Sequence, residues 1–262
     1  MNNNNIAAPQ SCWFSTVLKQ QQPRMRLFCF PFAGGGVSAF HDWKGWMPPQ
    51  TELVVMELPG RGRRFNEALM DDMSEIVTSM ANEFLHYTDV PYVFFGHSLG
   101  ALIATELLQT LSERGLPMPH LFISSGMRAP QFRARQTLHT LEEDAFIEAL
   151  KHYNGTPHEL LNNPELMALF LPVLRADFSL SENHIYRATP PFDFPLHLVG
   201  GNEDSSVTRE ELNGWQALSS HEIRETWFPG DHFYLQGSSK PALLQHVRMI
   251  LSGLLCDIKQ PA

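Results

Sequence analysis

The chain has 262 residues, of which 43% are hydrophobic and 18% charged, enough apolar material for one large α/β domain with a real core. A formal net charge of -9, with the acids scattered along the chain, speaks for solubility and against general nucleic-acid binding, which needs a basic face. Cys12, Cys29 and Cys256 are odd in number and form no Cys-x-x-Cys, which speaks against a disulfide framework. The polar start Met1-Asn2-Asn3-Asn4-Asn5 lacks a signal segment and no apolar run reaches membrane-spanning length, so a cytoplasmic protein is expected. The twelve histidines show no metal-ligand spacing, and no metal is expected.

Residues 1–10 read as a frayed tail, and residues 11–262 as a single domain. Cys12-Trp13-Phe14 reads as packing on the domain edge, and Gln20-Gln21-Gln22-Pro23 as a loop. Met25–Phe30 is a buried strand, with Cys29 a small core residue. It ends in Pro31-Phe32-Ala33-Gly34-Gly35-Gly36, whose glycines let backbone N–H groups point into a site at the carboxyl edge of a sheet. A phosphate loop is the weaker alternative, because neither Gly-x-Gly-x-x-Gly nor a Gly-Lys-Ser/Thr ending is present.

Glu52–Leu58 is the next strand, followed by Pro59-Gly60-Arg61-Gly62-Arg63-Arg64, and residues 73–87 form a helix. Then comes Tyr92-Val93-Phe94-Phe95-Gly96-His97-Ser98-Leu99-Gly100, a β-branched and aromatic strand that ends in Gly-x-Ser-x-Gly. Apolar residues at helical spacing follow it, from Leu99 to Leu111. Strand, tight turn and helix together form the nucleophile-elbow context, with Ser98 at a helix N-terminus where negative charge is favoured. His120–Ser124 is a further strand, and the alternation of strands and helices implies a parallel sheet.

From 126 to 193 the pattern becomes mostly helical (Glu142–Tyr153, then Pro164 to about Tyr186), longer than a crossover needs. An insertion before a strand at the carboxyl edge would cover the site as a lid, although Met127, Phe132, Leu138, Met167 and Phe170 are each more simply read as packing. Phe194–Gly201 returns as a strand, Glu210–Leu218 as a helix, Ile223–Phe228 as the last strand, and Ser239-Lys240-Pro241 opens the final helix.

A serine nucleophile needs a base, and the base an orienter. Ser98, Asp204 and His232 stand in the order Ser, acid, His, each just beyond a strand. Glu203 competes for the acid, and Asp204 is preferred for its distance from the strand end and its fit to the pattern of the fold. Asp231 is read as a turn residue and His97 as a group that holds the elbow. In an α/β hydrolase the oxyanion donors are the N–H after the nucleophile and one from the first glycine loop, here Leu99 and Ala33.

The segments Leu27-Phe28-Cys29-Phe30-Pro31-Phe32-Ala33-Gly34-Gly35, Leu58-Pro59-Gly60-Arg61-Gly62, Gly96–Ala101, Leu171-Pro172-Val173-Leu174-Arg175-Ala176-Asp177-Phe178 and Gly230-Asp231-His232-Phe233 resemble the external, type II thioesterases that accompany nonribosomal-peptide and polyketide synthases. The resemblance runs from about Trp13 to Leu254, and the Leu-Arg-Ala-Asp-Phe run is its most discriminating part. Phe32 departs from the pattern, since many members carry His there.

The resemblance implies an α/β-hydrolase fold with a helical lid and hydrolysis of acyl thioesters from the phosphopantetheine arm of acyl or peptidyl carrier domains. No cofactor of its own, no membrane and no nucleic-acid partner are expected, and neither is an oligomer. Acidic carriers would be steered by local basic groups, for which Arg61, Arg63 and Arg64 are candidates, with Arg128, Arg133 and Arg135 at the start of the insertion; the plain alternative is a solvated surface. A small-molecule carboxylesterase and a non-catalytic ligand-binding domain are the competing readings.

Overall fold

A computed structural model describes residues 11–153, 155 and 163–258. The expected tail at 1–10 lies outside the described residues, as does part of the insertion. Seven strands form one sheet in the order β1-β3-β2-β4-β5-β6-β7. They are β1 (Phe14–Leu18), β2 (Met25–Phe30), β3 (Thr51–Met56), β4 (Tyr92–His97), β5 (Leu121–Ser125), β6 (Leu196–Gly201) and β7 (Arg224–Phe228). Only β1 runs antiparallel, against β3.

Every residue of β2, β3, β4, β5 and β6 is buried, which explains why these strands read as continuous apolar runs. Their side chains still alternate between two cores. Phe28, Phe30, Val54, Met56, Tyr92 and Phe94 face the layer of α1 (Met73–Phe84) and α2 (Leu99–Glu113). Met25, Leu27, Cys29, Leu53, Val55, Val93 and Phe95 face the 3-10 segment Val37–Trp46 and the last helix, here α6 (Lys240–Asp257).

Some helices begin at a residue that satisfies their first backbone donors. Asp72 caps α1 by accepting the Glu75 N–H at 3.0 Å. Thr208 and Glu211 form a capping box at α5 (Arg209–Asn213).

The segment between β5 and β6 carries α3 (Glu143–Tyr153) and α4 (Pro164–Glu182). Leu138, Phe146, Leu150, Met167, Leu171 and Leu174 give it a small core of its own. Leu138 and Met167 are therefore packing residues, as expected, while Phe170 is 38% exposed.

Two elements go beyond the sequence reading. The edge residue Phe14 opens a strand, pairing with Met56, and Trp13 just before it has its ring buried under the Arg64 guanidinium at 4.1 Å. The stretch Val37–Trp46 is helical, its Phe40 and Trp43 buried one 3-10 turn apart.

Candidate active site

β4 ends at His97, and α2 begins at Leu99, so Ser98 occupies the whole turn. Its backbone lies at φ 53°, ψ -123°, a conformation that costs energy for any non-glycine residue and persists only when its surroundings impose it. Here they do. The Ser98 N–H donates to Ser125 O at 2.9 Å, and the Ser98 carbonyl accepts from Ala101 N at 2.9 Å. The strained turn lifts the hydroxyl off the sheet edge at the start of a helix.

Two loops converge on it. His232 Nε2 stands 2.9 Å from Ser98 Oγ, and His232 Nδ1 stands 2.7 Å from Asp204 Oδ2. The acid loop and the histidine loop are stitched together by Asn202 N to Phe228 O and Glu203 N to Gly230 O, at 2.8 and 2.9 Å. Both side chains of the Asp204–His232 pair are almost wholly buried, at 4% and 9% exposed. Burial alone would raise the Asp204 carboxyl; hydrogen bonds and charge from His232, with the Ser206 hydroxyl and N–H, outweigh it and hold the group below the ordinary aspartate range. Glu203 is exposed beside it, and Asp231 caps its own turn by accepting Phe233 N–H at 2.8 Å.

Sequence reasoning missed Ser206. Its Oγ donates to Asp204 Oδ1 at 2.6 Å and lies 3.0 Å from His232 Nδ1, so it touches both members of the pair. The Asp-Ser-Ser run was the available signal, since a serine two residues after an aspartate commonly closes such a turn.

His97 does hold the elbow: its Nδ1 is 2.8 Å from Ser125 Oγ, which also contacts the Tyr234 hydroxyl. Burial, with the nearby His232, pushes His97 well below the ordinary histidine range, so it stays neutral. Phe32, the departure from the family pattern, is buried edge-on against Phe233 and His97, with ring centroids at 5.0 and 5.9 Å.

Ala33 and Leu99 line one cleft with Ser98 and His232, about 460 Å³ in volume. Leu99 is the first residue of α2, so its N–H has no acceptor inside the helix. Leu102, Met127, Phe132, Leu150, Leu174 and Phe178 supply apolar wall. The rest of the lining is polar, including Gln136, Glu182 and His184, so the cleft offers an apolar stretch for an acyl chain beside a polar one. Among the described residues no three His, Cys, Asp or Glu side chains cluster as metal ligands, and no helix is long and apolar enough to cross a membrane.

The arginine reading needs correction. Arg61 is turned inward, paired with the buried Asp177, its side chain 11% exposed. Arg64 is 7% exposed, stacked on Trp13, with its guanidinium on Glu67 and the Glu57 carbonyl. Only Arg63 keeps a partly exposed head, at 42%, and it contacts Glu57. Both inward arginines have acceptors in the fold that their loop does not advertise. Arg128, Arg133 and Arg135 do line the cleft.

The thioesterase domain family matches residues 25–251. The gramicidin S biosynthesis protein GrsT of Aneurinibacillus migulanus is 39% identical over 228 residues, spanning 86% of this chain and 89% of that protein. The RedJ thioesterase from the prodiginine biosynthetic pathway of Streptomyces coelicolor superposes with a TM-score of 0.82 at 34% identity, covering 87% of this chain and 85% of that one. YbtT, a type II thioesterase from the yersiniabactin pathway, gives a TM-score of 0.77 at 30% identity over 93% and 96% of the two chains. With the family match spanning most of the chain and the elbow, glycine loop and histidine loop all in place, the protein belongs to the thioesterase domain family, among its type II members, and is a thioester hydrolase of α/β-hydrolase fold.

Proposed function

We propose that Ser98, His232 and Asp204 hydrolyse acyl groups from the phosphopantetheine arm of carrier proteins, an editing step in nonribosomal-peptide or polyketide assembly. The observation that carries this reading is the continuous chain from Ser98 Oγ through the imidazole to Asp204, at 2.9 and 2.7 Å, on a cleft of mixed polar and apolar lining beside the glycine loop. GrsT and YbtT, from peptide and mixed peptide–polyketide pathways by their names, support the partner class.

His232 takes the Ser98 proton as Oγ attacks the thioester carbonyl, and the Leu99 and Ala33 N–H groups bind the oxyanion that forms. Asp204 fixes the tautomer with Nδ1–H and stabilises the imidazolium. His232 returns the proton to the departing thiolate, then activates water against the acyl-serine. No step calls for a cofactor. The segment 126–193 serves as the lid of this cleft. Carrier docking is assigned to Arg63 together with Arg128, Arg133 and Arg135, since a chain of net charge -9 must present cations locally to meet an acidic partner.

The test compares one acyl group on a carrier protein, on free pantetheine thiol and as an oxygen ester. Preference for the carrier form, lost by three orders of magnitude or more, roughly, in Ser98→Ala, supports the reading. Equal turnover of the oxygen ester would instead make this a general carboxylesterase, and an Arg63→Glu variant with an unchanged rate on carrier substrate would remove the docking assignment.

A further inference from the structure

The Asp177 carboxylate sits on α4, inside the insertion, yet is 1% exposed and bonded entirely to the catalytic scaffold. Its Oδ2 accepts the Gly34 N–H at 2.7 Å and Arg61 Nη1 at 2.6 Å, while Oδ1 accepts Arg61 Nη2 at 2.6 Å. Arg61 Nη1 also donates to Gly35 O at 3.1 Å. One helix of the insertion, the loop after β3 and the glycine loop after β2 are thus joined at a single carboxylate.

Stability is a weak reason for such an arrangement. Desolvating a carboxylate and a guanidinium costs about as much as their pairing returns, and well-packed apolar groups would serve as well. What the carboxylate supplies is direction. Gly34 turns at φ +74°, and a Cβ there would lie 2.6 Å from Leu174 of the same helix. The turn therefore has no room for a side chain beside Leu174, and Asp177 of the same helix holds its N–H. The peptide it fixes is the one that follows Ala33.

We infer that Asp177 is a positioning residue of the oxyanion hole: by holding Gly34 it aims the Ala33 N–H at the developing oxyanion. Leu174 and Phe178, on the same helix, line the cleft. Asp177 itself does not line the cleft, so it acts only through the loop it holds. The inference rests on the reading of Ala33 as an oxyanion donor.

The experiment measures kcat and KM on an acyl-pantetheine thioester, the affinity for an acyl-chain boronic acid that forms a tetrahedral adduct with Ser98, and Tm. It is run on wild type, Asp177→Asn, Arg61→Ala, Arg61→Lys and Ala33→Pro. Misaligning one donor is expected to lower kcat in Asp177→Asn by about 10- to 100-fold while KM moves less than about twofold. Boronate affinity should weaken in step with kcat/KM, and Arg61→Lys should recover part of the loss seen in Arg61→Ala. A lower Tm in Asp177→Asn with unchanged kcat and boronate affinity in the folded protein would mean a purely structural pair and overturn the inference. So would a rise in KM alone. If Ala33→Pro, which has no N–H to donate, keeps the wild-type kcat, the oxyanion reading itself fails; if it is impaired while Asp177→Asn is not, only the positioning role falls.

Discussion

Ser206 turns a linear relay into a closed contact among three groups. A neutral His232 must carry its proton on Nδ1 if Nε2 is to accept from Ser98, and Nδ1–H finds both Asp204 Oδ2 and Ser206 Oγ within reach. The Ser206 hydroxyl meanwhile donates to the far carboxylate oxygen, and its backbone N–H donates to that same Oδ1 at 2.8 Å. Removing the hydroxyl leaves the backbone bond and the Asp–His bond intact. Ser206→Ala is thus expected to lower kcat/KM by roughly three- to tenfold, the net worth of about one ordinary hydrogen bond, since the backbone N–H still holds Oδ1. Asp204→Asn should cost far more, because an amide can present N–H to Nδ1 and favour the wrong tautomer. Steady-state kinetics of the two variants side by side decide the point, and equal losses would mean that Ser206 is itself an orienter. The meeting of Ser98, Asp204 and His232 was legible because each follows a strand in an order that the fold imposes. Ser206 was not, because its role depends on a turn that brings residue i+2 back onto residue i. Arg61 was misread for a related reason: its partner stands 116 residues away, and a Gly-Arg-Gly-Arg-Arg run viewed alone resembles a solvated loop.

The elbow is an element whose geometry depends on Gly100. A Cβ there would lie 2.0 Å from the carbonyl oxygen of Phe30 and 2.6 Å from that of Pro31, so α2 crosses the end of β2 with no room for a side chain. Backbone atoms cannot rotate away as a flexible side chain would. Gly100→Ala is therefore expected to cost more than about 3 kcal/mol, well above an ordinary overpacking, and to lower both the yield of folded protein and Tm. Normal thermal melting of this variant would show that the elbow can open, and the tight packing would lose its significance. Elements of this kind, buried on both sides and closed by glycine, were read nearly to their ends: the expected strand Met25–Phe30 and the helix start at Leu99 are both found. The edge was less legible. β1 has two buried residues and three that are exposed or half-exposed, too short an alternation to assert itself, and it becomes a strand only because β3 offers an open edge. The helix read over residues 164–186 stops at Glu182, where Asn183 N–H closes onto Ser179 O.

At the scale of the whole molecule, the far edge of the sheet is fastened to α6 by a cluster of neutral polar groups. His197 on β6 and His246 on α6 both approach Thr226 Oγ1 on β7, at 2.8 and 3.2 Å, and their Nε2 atoms are 3.3 Å apart. Burial, with His246 and Arg224 nearby, pushes His197 down to about 4, and burial lowers His246 as well. An unfolded histidine titrates near 6.5, on the order of the usual value, so between these limits the unfolded chain binds more protons than the folded one. Stability must then rise with pH through that window and fall as the solution is acidified from about 6.5 toward 4. Asp204, Asp89 and Glu211 are held below their ordinary values and act in the same direction, but in a window that begins only below about 4.5, where unfolded carboxylates take up protons. The buried, neutral His97 adds to the upper window and sits at the catalytic end of β4, whereas His197 is the second residue of β6, at the opposite end of the strands. The two contributions are therefore separable by mutation. His197→Gln keeps a partner for Thr226 and removes the titration, so its Tm should fall less steeply than wild type between pH 6.5 and 4.5, each kcal/mol recovered appearing as roughly 2–4 °C in a chain of this size. Turnover at pH 7.5 should be unchanged, because the cluster lies away from Ser98. Thermal melts of both proteins across that range decide it: parallel Tm curves would mean that the histidine pair is solvated enough to titrate normally, and that acid lability originates at the catalytic end of the sheet.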